Sequence, residues 1–155
     1  NEQHIRLLPR EELLERARPY LPPSADDGYL MKIIDLLVER ITFVRDLESS
    51  SLYFFEDPEE YEEAGVQKRW KEDSAELVST YADRLDALEE VTAADAEEIL
   101  RQIGEERGAG AGRIIHPTRL AVTGLSFGPS LFHLMEVIGK VTCVRRMREA
   151  AMRLG

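Results

Sequence analysis

The sequence predicts an all-α fold, a helical bundle in two lobes. Three observations carry that prediction. Apolar residues recur at three- and four-residue steps through most of the 155 residues, the stripe that an amphipathic helix buries. Prolines, glycines and short polar residues fall at the ends of those stripes, where helices start and stop. No segment alternates apolar and polar residues as a half-buried strand would.

The elements follow in order. Pro9 sits where a first-turn proline is tolerated, with Glu11 and Glu12 near the positive end of the helix, which runs to about Tyr20 before Pro22-Pro23 stops it. Ser24-Ala25-Asp26-Asp27 reads as a capping-box-like start, and Leu30, Ile33, Ile34, Leu37, Ile41 and Val44 form the stripe behind it. Leu52-Tyr53-Phe54-Phe55 reads as an apolar plug before the Asp57-Pro58 turn. Val66, Trp70, Leu77, Tyr81 and Leu88 share the face of a third stretch. Thr92 caps a fourth, with Ala96, Ile99, Leu100 and Ile103 inward. Gly108-Ala109-Gly110-Ala111-Gly112 breaks the pattern and reads as the hinge between a lobe of residues 1–106 and one of residues 107–155. Beyond it, Pro117 opens a short helix closed by Gly124, Pro129 opens another closed near Gly139, and a basic amphipathic helix runs from Lys140 to the end.

Composition fits a globular protein: 43% of residues are hydrophobic and 32% charged, which argues against disorder or a fibre. No apolar run approaches the roughly 18 residues that a membrane span needs, so no membrane partner is expected. Cys143 is the only cysteine and cannot make an internal disulfide, which makes a cytoplasmic chain the default. The chain opens on Asn1 with residues that read as mid-domain sequence, pointing to a piece of something longer.

The net charge of −10 hides a split. Residues 1–106 hold 28 acidic and 12 basic side chains, and residues 107–155 hold 2 acidic and 8 basic ones. Such asymmetry points either to an acidic, solvated body beside a lobe that can meet an anion, or to a last helix that is simply a basic solvent face.

No catalytic centre can be assembled. His4, His116 and His133 are too scattered for a metal motif, the run Glu59, Glu60, Glu62 and Glu63 reads as a solvated face, and the glycine-rich segment lacks the lysine of a phosphate-binding loop. Cys143 sits among Val141, Val144 and Met147, the setting of a small buried hydrophobe. What remains is a binding surface of arginines: Arg113 and Arg119 beside His116-Pro117-Thr118, and Arg145, Arg146 and Arg148 on the last helix. Arginine forks match phosphates and base edges. Thr118, Thr123 and Ser126 add hydroxyls, and Phe127 adds a ring face for stacking, against the alternative that Phe127 packs in the core and Ser126 caps a helix.

His116-Pro117-Thr118-Arg119-Leu120-Ala121-Val122-Thr123-Gly124, then Gly128-Pro129-Ser130-Leu131-Phe132, then Val137-Ile138-Gly139-Lys140, resembles the ordered "P-x-R-x-A-x-T-G", "P-G-L-F" and "L-G-K" signature of bacterial-type glutamyl-tRNA synthetases. Asn1-Glu2-Gln3-His4-Ile5-Arg6 resembles the family's "N-G-x-Y-I-R", so the resemblance covers the whole chain. It implies the all-α anticodon-binding part of a class I synthetase, a monomer that recognises glutamate tRNA. The whole enzyme would join glutamate to that tRNA with ATP and Mg²⁺, using a catalytic domain upstream in the same chain. The HIGH-like and KMSKS-like motifs of that domain are absent, so this segment is expected to hold no cofactor and to catalyse nothing. Carried over residue by residue, the resemblance implies that Arg40 reads the third anticodon base and marks a discriminating enzyme. It implies that Arg119 contacts the anticodon and that Leu131 makes an apolar contact there. Arg113, Thr118, Ser126, Arg145 and Arg146 are the expected backbone contacts. The sequence departs from the family at Gly128, where a hydroxyl residue is usual, at Phe127, and at His4, where tyrosine is usual and only packing is expected. The competing expectation is a stand-alone helical module that docks a partner protein through an apolar groove. A third is a relaxed synthetase that also charges glutamine tRNA.

Overall fold

Ten α-helices and no strand form among the described residues of the computed structural model, which are residues 2–155. Asn1 and the side chains of Glu2, Gln3 and His4, part of the opening motif, lie outside them. The chain divides into two compact units, Asn1–Glu56 and Asp57–Gly155.

The first unit holds α1 (Glu2–Leu7), α2 (Arg10–Ala17), α3 (Asp27–Leu37) and the single turn α4 (Leu47–Ser50). Asp26 caps α3, its carboxylate accepting from the Tyr29 N–H at 3.2 Å, which satisfies one of the free donors of the first turn. Leu30, Ile33, Ile34 and Leu37 then face a core shared with Leu13, Ala17, Leu47 and Phe54. The stripe expected to continue through Val44 does not stay helical. After Leu37 the backbone tightens into a 3₁₀ turn over Val38–Arg40, and Ile41 is extended. Local chemistry explains the break. The Asp46 carboxylate accepts from the N–H groups of Thr42 and Phe43 at 3.1 and 2.8 Å, offering the backbone an alternative to helical bonds where β-branched residues already weaken the helix.

The second unit holds α5 (Glu63–Arg69), α6 (Ser74–Asp86), α7 (Ala93–Arg107), α8 (Ala111–Thr123), α9 (Leu131–Ile138) and α10 (Lys140–Leu154). The expected third stretch is two helices. Trp70 is extended, and the Ser74 hydroxyl accepts from the Lys71 N–H at 2.7 Å to start α6 afresh. Tyr81 is fully buried between α6 and α7, and its hydroxyl donates to the Ala96 carbonyl at 2.7 Å. Thr92 and Asp95 cap α7 reciprocally, as the sequence leads one to expect.

Two expectations on this half differ from the structure. Gly108–Gly112 joins α7 to α8 inside the second unit, where Gly108 at φ +63° closes one helix and Gly110 begins the next. The compact units instead part between Glu56 and Asp57. Pro117 lies inside α8 and does not open it. An interior proline forfeits one backbone bond and costs about 3 kcal/mol. Burial of Ile114, Pro117, Leu120, Ala121 and Val122 on one helix offsets that, at roughly 1.5–3 kcal/mol for each large aliphatic side chain.

Candidate nucleic-acid interface

In the first unit, Arg40 ends the 3₁₀ turn, is exposed, and pairs with no described residue. Neither neighbouring acid claims it: the Asp46 carboxylate is occupied by backbone N–H groups, and no ion pair joins Arg40 to the Glu39 carboxylate among the described residues. Three residues on, Phe43 is 47% exposed, with the Arg45 guanidinium 4.4 Å above its ring centroid. An unpaired guanidinium and, three residues on in sequence, a solvent-facing ring suit an unstacked base, which offers both an edge and a face. The sequence reading passed over Phe43 and Arg45. Alternation of an aromatic with arginines in Arg40-Ile41-Thr42-Phe43-Val44-Arg45 is the signal that marks them.

In the second unit, Arg119 is half-buried and donates to the Pro129 carbonyl at 2.8 Å, tying α8 to the loop before α9. That loop carries Phe127 at 64% exposure, so the ring does not pack in the core. The Ser126 hydroxyl and N–H both donate to the Glu62 carboxylate, at 2.8 and 3.2 Å. Leu131 is 2% exposed, Thr118 is fully buried, and the Thr118 hydroxyl has no hydrogen-bond partner among the described residues.

The basic last helix is not an open cationic face. Arg145 and Arg146 both pair with Asp57, Arg148 pairs with Asp83 and Asp86, and Arg153 lies over the Tyr61 ring. Arg113 pairs with Asp73 at 2.6 Å. Residues 57–155 contain 19 acidic and 13 basic side chains, and the arginines of α10 are folded back on acids contributed by earlier residues. The charge split along the sequence therefore does not become a basic body in space.

Against that background the cations with no described partner are few: Lys32, Arg40, Lys68, Arg69 and Lys71. Three of them flank Trp70 in one run, at the end of α5 where it packs on α8. His116 of α8 is held below the usual imidazole range, first by burial and then by the positive charges of Arg69, Arg119 and Lys68. Sequence reading missed this run too, although Lys68-Arg69-Trp70-Lys71 stands out within an acidic stretch.

The arginine-and-aromatic character of both places agrees with what the chain matches. Residues 12–151 match the anticodon binding domain family. The chain belongs to that family. It is 42% identical over an aligned 165 residues to the glutamate–tRNA ligase of Chloroherpeton thalassium, covering 98% of this chain and 33% of that protein. Similarity to the glutamate–tRNA ligase of Chlorobaculum parvum is 37% over 165 residues, with the same coverage. The fold matches a glutamate–tRNA ligase from Elizabethkingia meningosepticum, solved with its amino acid, at a TM-score of 0.93 and 30% identity over 100% of this chain and 31% of that one. This anticodon binding domain thus spans about a third of the length of the relatives it matches.

Most signature residues of the domain do structural work. Thr123 accepts from the Leu125 N–H at 3.0 Å and donates to the Arg119 carbonyl at 2.8 Å. Gly124 turns the chain at φ +80°, where a Cβ would meet the Glu60 carbonyl oxygen at 2.8 Å. The Lys140 ammonium donates to the carbonyls of Asp86 and Leu88 at 3.2 and 2.6 Å, capping the end of α6, a favourable place for a cation. Among the described residues no group of three or more His, Cys, Asp or Glu side chains is placed to hold a metal ion, and no helix is long and apolar enough to cross a membrane.

Proposed function

We propose that this anticodon binding domain recognises the anticodon loop of glutamate tRNA for a glutamate–tRNA ligase, and that Arg40 reads the third anticodon base. The observation that carries the reading is the Arg40 guanidinium, exposed and unpaired among the described residues where almost every other arginine is engaged. A guanidinium has donors only, so on the pairing edge it donates to the carbonyl and ring nitrogen of cytosine, whereas guanine offers a ring N–H and an amino group there and would set donor against donor. That arrangement describes a discriminating reader.

Arg119 serves by holding Pro129 and with it the loop that presents Phe127. Leu131 packs the start of α9 from beneath. Arg113, Thr118, Ser126, Arg145 and Arg146 are engaged internally or buried, so their part is to shape the surface. We read ATP and Mg²⁺ as used by the part of the whole ligase that this chain does not span. The whole ligase is read as a cytoplasmic monomer whose catalytic domain lies upstream.

The test is a salt-titrated binding assay of this chain with the anticodon stem-loop of glutamate tRNA and a variant carrying G for C at the third anticodon base. Binding should weaken as salt rises, and the C form should bind about 5- to 100-fold more tightly, the worth of one bidentate contact. Equal affinity for both RNAs would overturn the role of Arg40. Absence of RNA binding at low salt would overturn the reading as a whole.

A further inference from the structure

We infer that the Lys68-Arg69-Trp70-Lys71 segment, at the end of α5, is a second RNA contact that grips backbone phosphates, one that reads no base. The inference rests on the proposed recognition of a tRNA loop and adds an element to it.

Unpaired cations are the first argument. In a chain with 30 acidic against 20 Lys and Arg residues, an exposed cation ordinarily finds a carboxylate. Arg84, Arg101, Arg107, Arg113, Arg145 and Arg148 of the second unit all do. Lys68, Arg69 and Lys71 have no such partner among the described residues, although Glu72 and Asp73 follow them directly in sequence.

Placement is the second. Trp70 and Lys71 line an open cleft of about 540 Å³ together with Glu72, Asp73 and Arg113. Asp73 is already neutralised by Arg113 at 2.6 Å, which leaves Glu72 as the one unpaired acid of the cleft lining. On the α8 side His116 is held below the usual imidazole range by burial first and then by the charges of Arg69, Arg119 and Lys68, which places these cations near its ring. Lys68 and Arg69 do sit in the last turn of α5, where the backbone dipole rewards a cation by a few tenths of a kcal/mol. Lys71 lies outside the helix and gains nothing from it. Trp70, half-buried, supplies a ring against which a sugar or a base can rest.

The ligand class follows. Lysine ammonium groups suit phosphates as point charges and the Arg69 fork matches phosphate oxygens, and phosphate contacts carry no sequence information, so these side chains should set affinity and register while Arg40 sets choice.

The experiment compares this chain with Lys68→Gln/Arg69→Gln/Lys71→Gln and, separately, Glu72→Gln, each titrated with the C and G stem-loops across salt. All three proteins should melt within about 2 °C of one another, because Lys68, Lys71 and Glu72 are exposed, Arg69 is half-buried, and none of the four makes an ion pair among the described residues. The triple variant should lose about 50-fold in affinity for both RNAs at 0.15 M salt and flatten the log–log salt slope by about 2. Its preference for the C form should be unchanged. Glu72→Gln should bind both RNAs more tightly, an outcome that a damaged fold cannot produce. If the parent chain binds with salt dependence while the triple variant keeps its affinity and slope, the inference is overturned and the anticodon reading stands. Loss of the C preference in the triple variant would also overturn it, by making the segment a reader. Failure of the parent chain to bind either RNA overturns both.

Discussion

The Arg146 guanidinium is 4% exposed and is held from two sides, by the Asp57 carboxylate at 2.9 Å and by the Val122 carbonyl at 2.7 Å. A residue that the sequence presents as part of a basic binding helix is a buried strut. It ties α10 to α8 and to the start of the second unit, and Arg145 closes on the same carboxylate from the solvent side. Asp57→Ala would take the carboxylate at 2.9 Å away from the buried guanidinium. Allowing for the half-exposed carboxylate, the loss should be about 2 kcal/mol, read by urea unfolding at pH 7.

The same pair predicts a pH dependence. Hydrogen bonding from Arg145, then from Arg146, holds the Asp57 carboxyl below its ordinary value of 3.8 against the opposing effect of burial. The native state therefore binds this proton less readily than the unfolded chain. Stability from the pair is present above about pH 4 and is lost as pH falls through the depressed pKa. Unfolding free energies of the parent and Asp57→Ala should differ at pH 6 and converge toward pH 2. A difference that persists undiminished at pH 2 would show that the charge is not what matters.

Two glycines with left-handed backbone separate conformational strain from steric conflict. Gly108 has φ +63° and open space where a Cβ would stand, whereas Gly124, at φ +80°, would drive a Cβ to 2.8 Å from the Glu60 carbonyl oxygen and 2.9 Å from Pro58. Gly108→Ala should cost about 1 kcal/mol, the left-handed penalty alone. Gly124→Ala should cost at least about 2 kcal/mol more, since backbone must move. Thermal unfolding of the two variants checks the ranking, and equal losses would contradict it.

How far the sequence carries depends on what a residue's role is made of. The Thr92 cap and the Gly124 and Gly139 stops are local, and they appear as expected. The end of α3 was not legible, because Asp46 intercepts backbone donors four residues before it. Nor was the fate of the α10 arginines. Residue type says that an arginine can meet a phosphate, but only the fold shows that Asp57, Asp83 and Asp86 reach these ones first. For the same reason the sequence shows Lys68, Arg69 and Lys71 only as a basic run in an acidic stretch, and the fold is needed to show that no carboxylate among the described residues pairs with them.

Cys143 gives a direct measure of core integrity. It is 1% exposed, its thiol donates to the Met135 carbonyl at 3.6 Å, and burial pushes its pKa up to about 12. The thiolate is the reactive form. A disulfide reagent at pH 8 should leave the native chain unmodified over minutes and label one thiol at once in denaturant. The rate in mild denaturant then reports opening of the α9–α10 packing.

Arg40 and Arg119 are both expected to serve the anticodon, yet their surroundings predict opposite behaviour on mutation. Arg40 is exposed and without a described partner, so Arg40→Gln removes nothing that the fold uses; unfolding free energy should stay within about 0.5 kcal/mol of the parent. Preference for the C stem-loop should fall toward unity, since glutamine can donate to either base edge. Arg119 holds the Pro129 carbonyl at 2.8 Å from a half-buried position. Arg119→Gln withdraws a charge-assisted donor from that carbonyl and should cost about 1–2 kcal/mol. Affinity for both stem-loops should fall together as the loop bearing Phe127 loosens. The discriminating measurement is the ratio of C to G affinity beside the unfolding midpoint. Arg40→Gln should move only the ratio, Arg119→Gln mainly the midpoint, and a reversal would exchange the two roles.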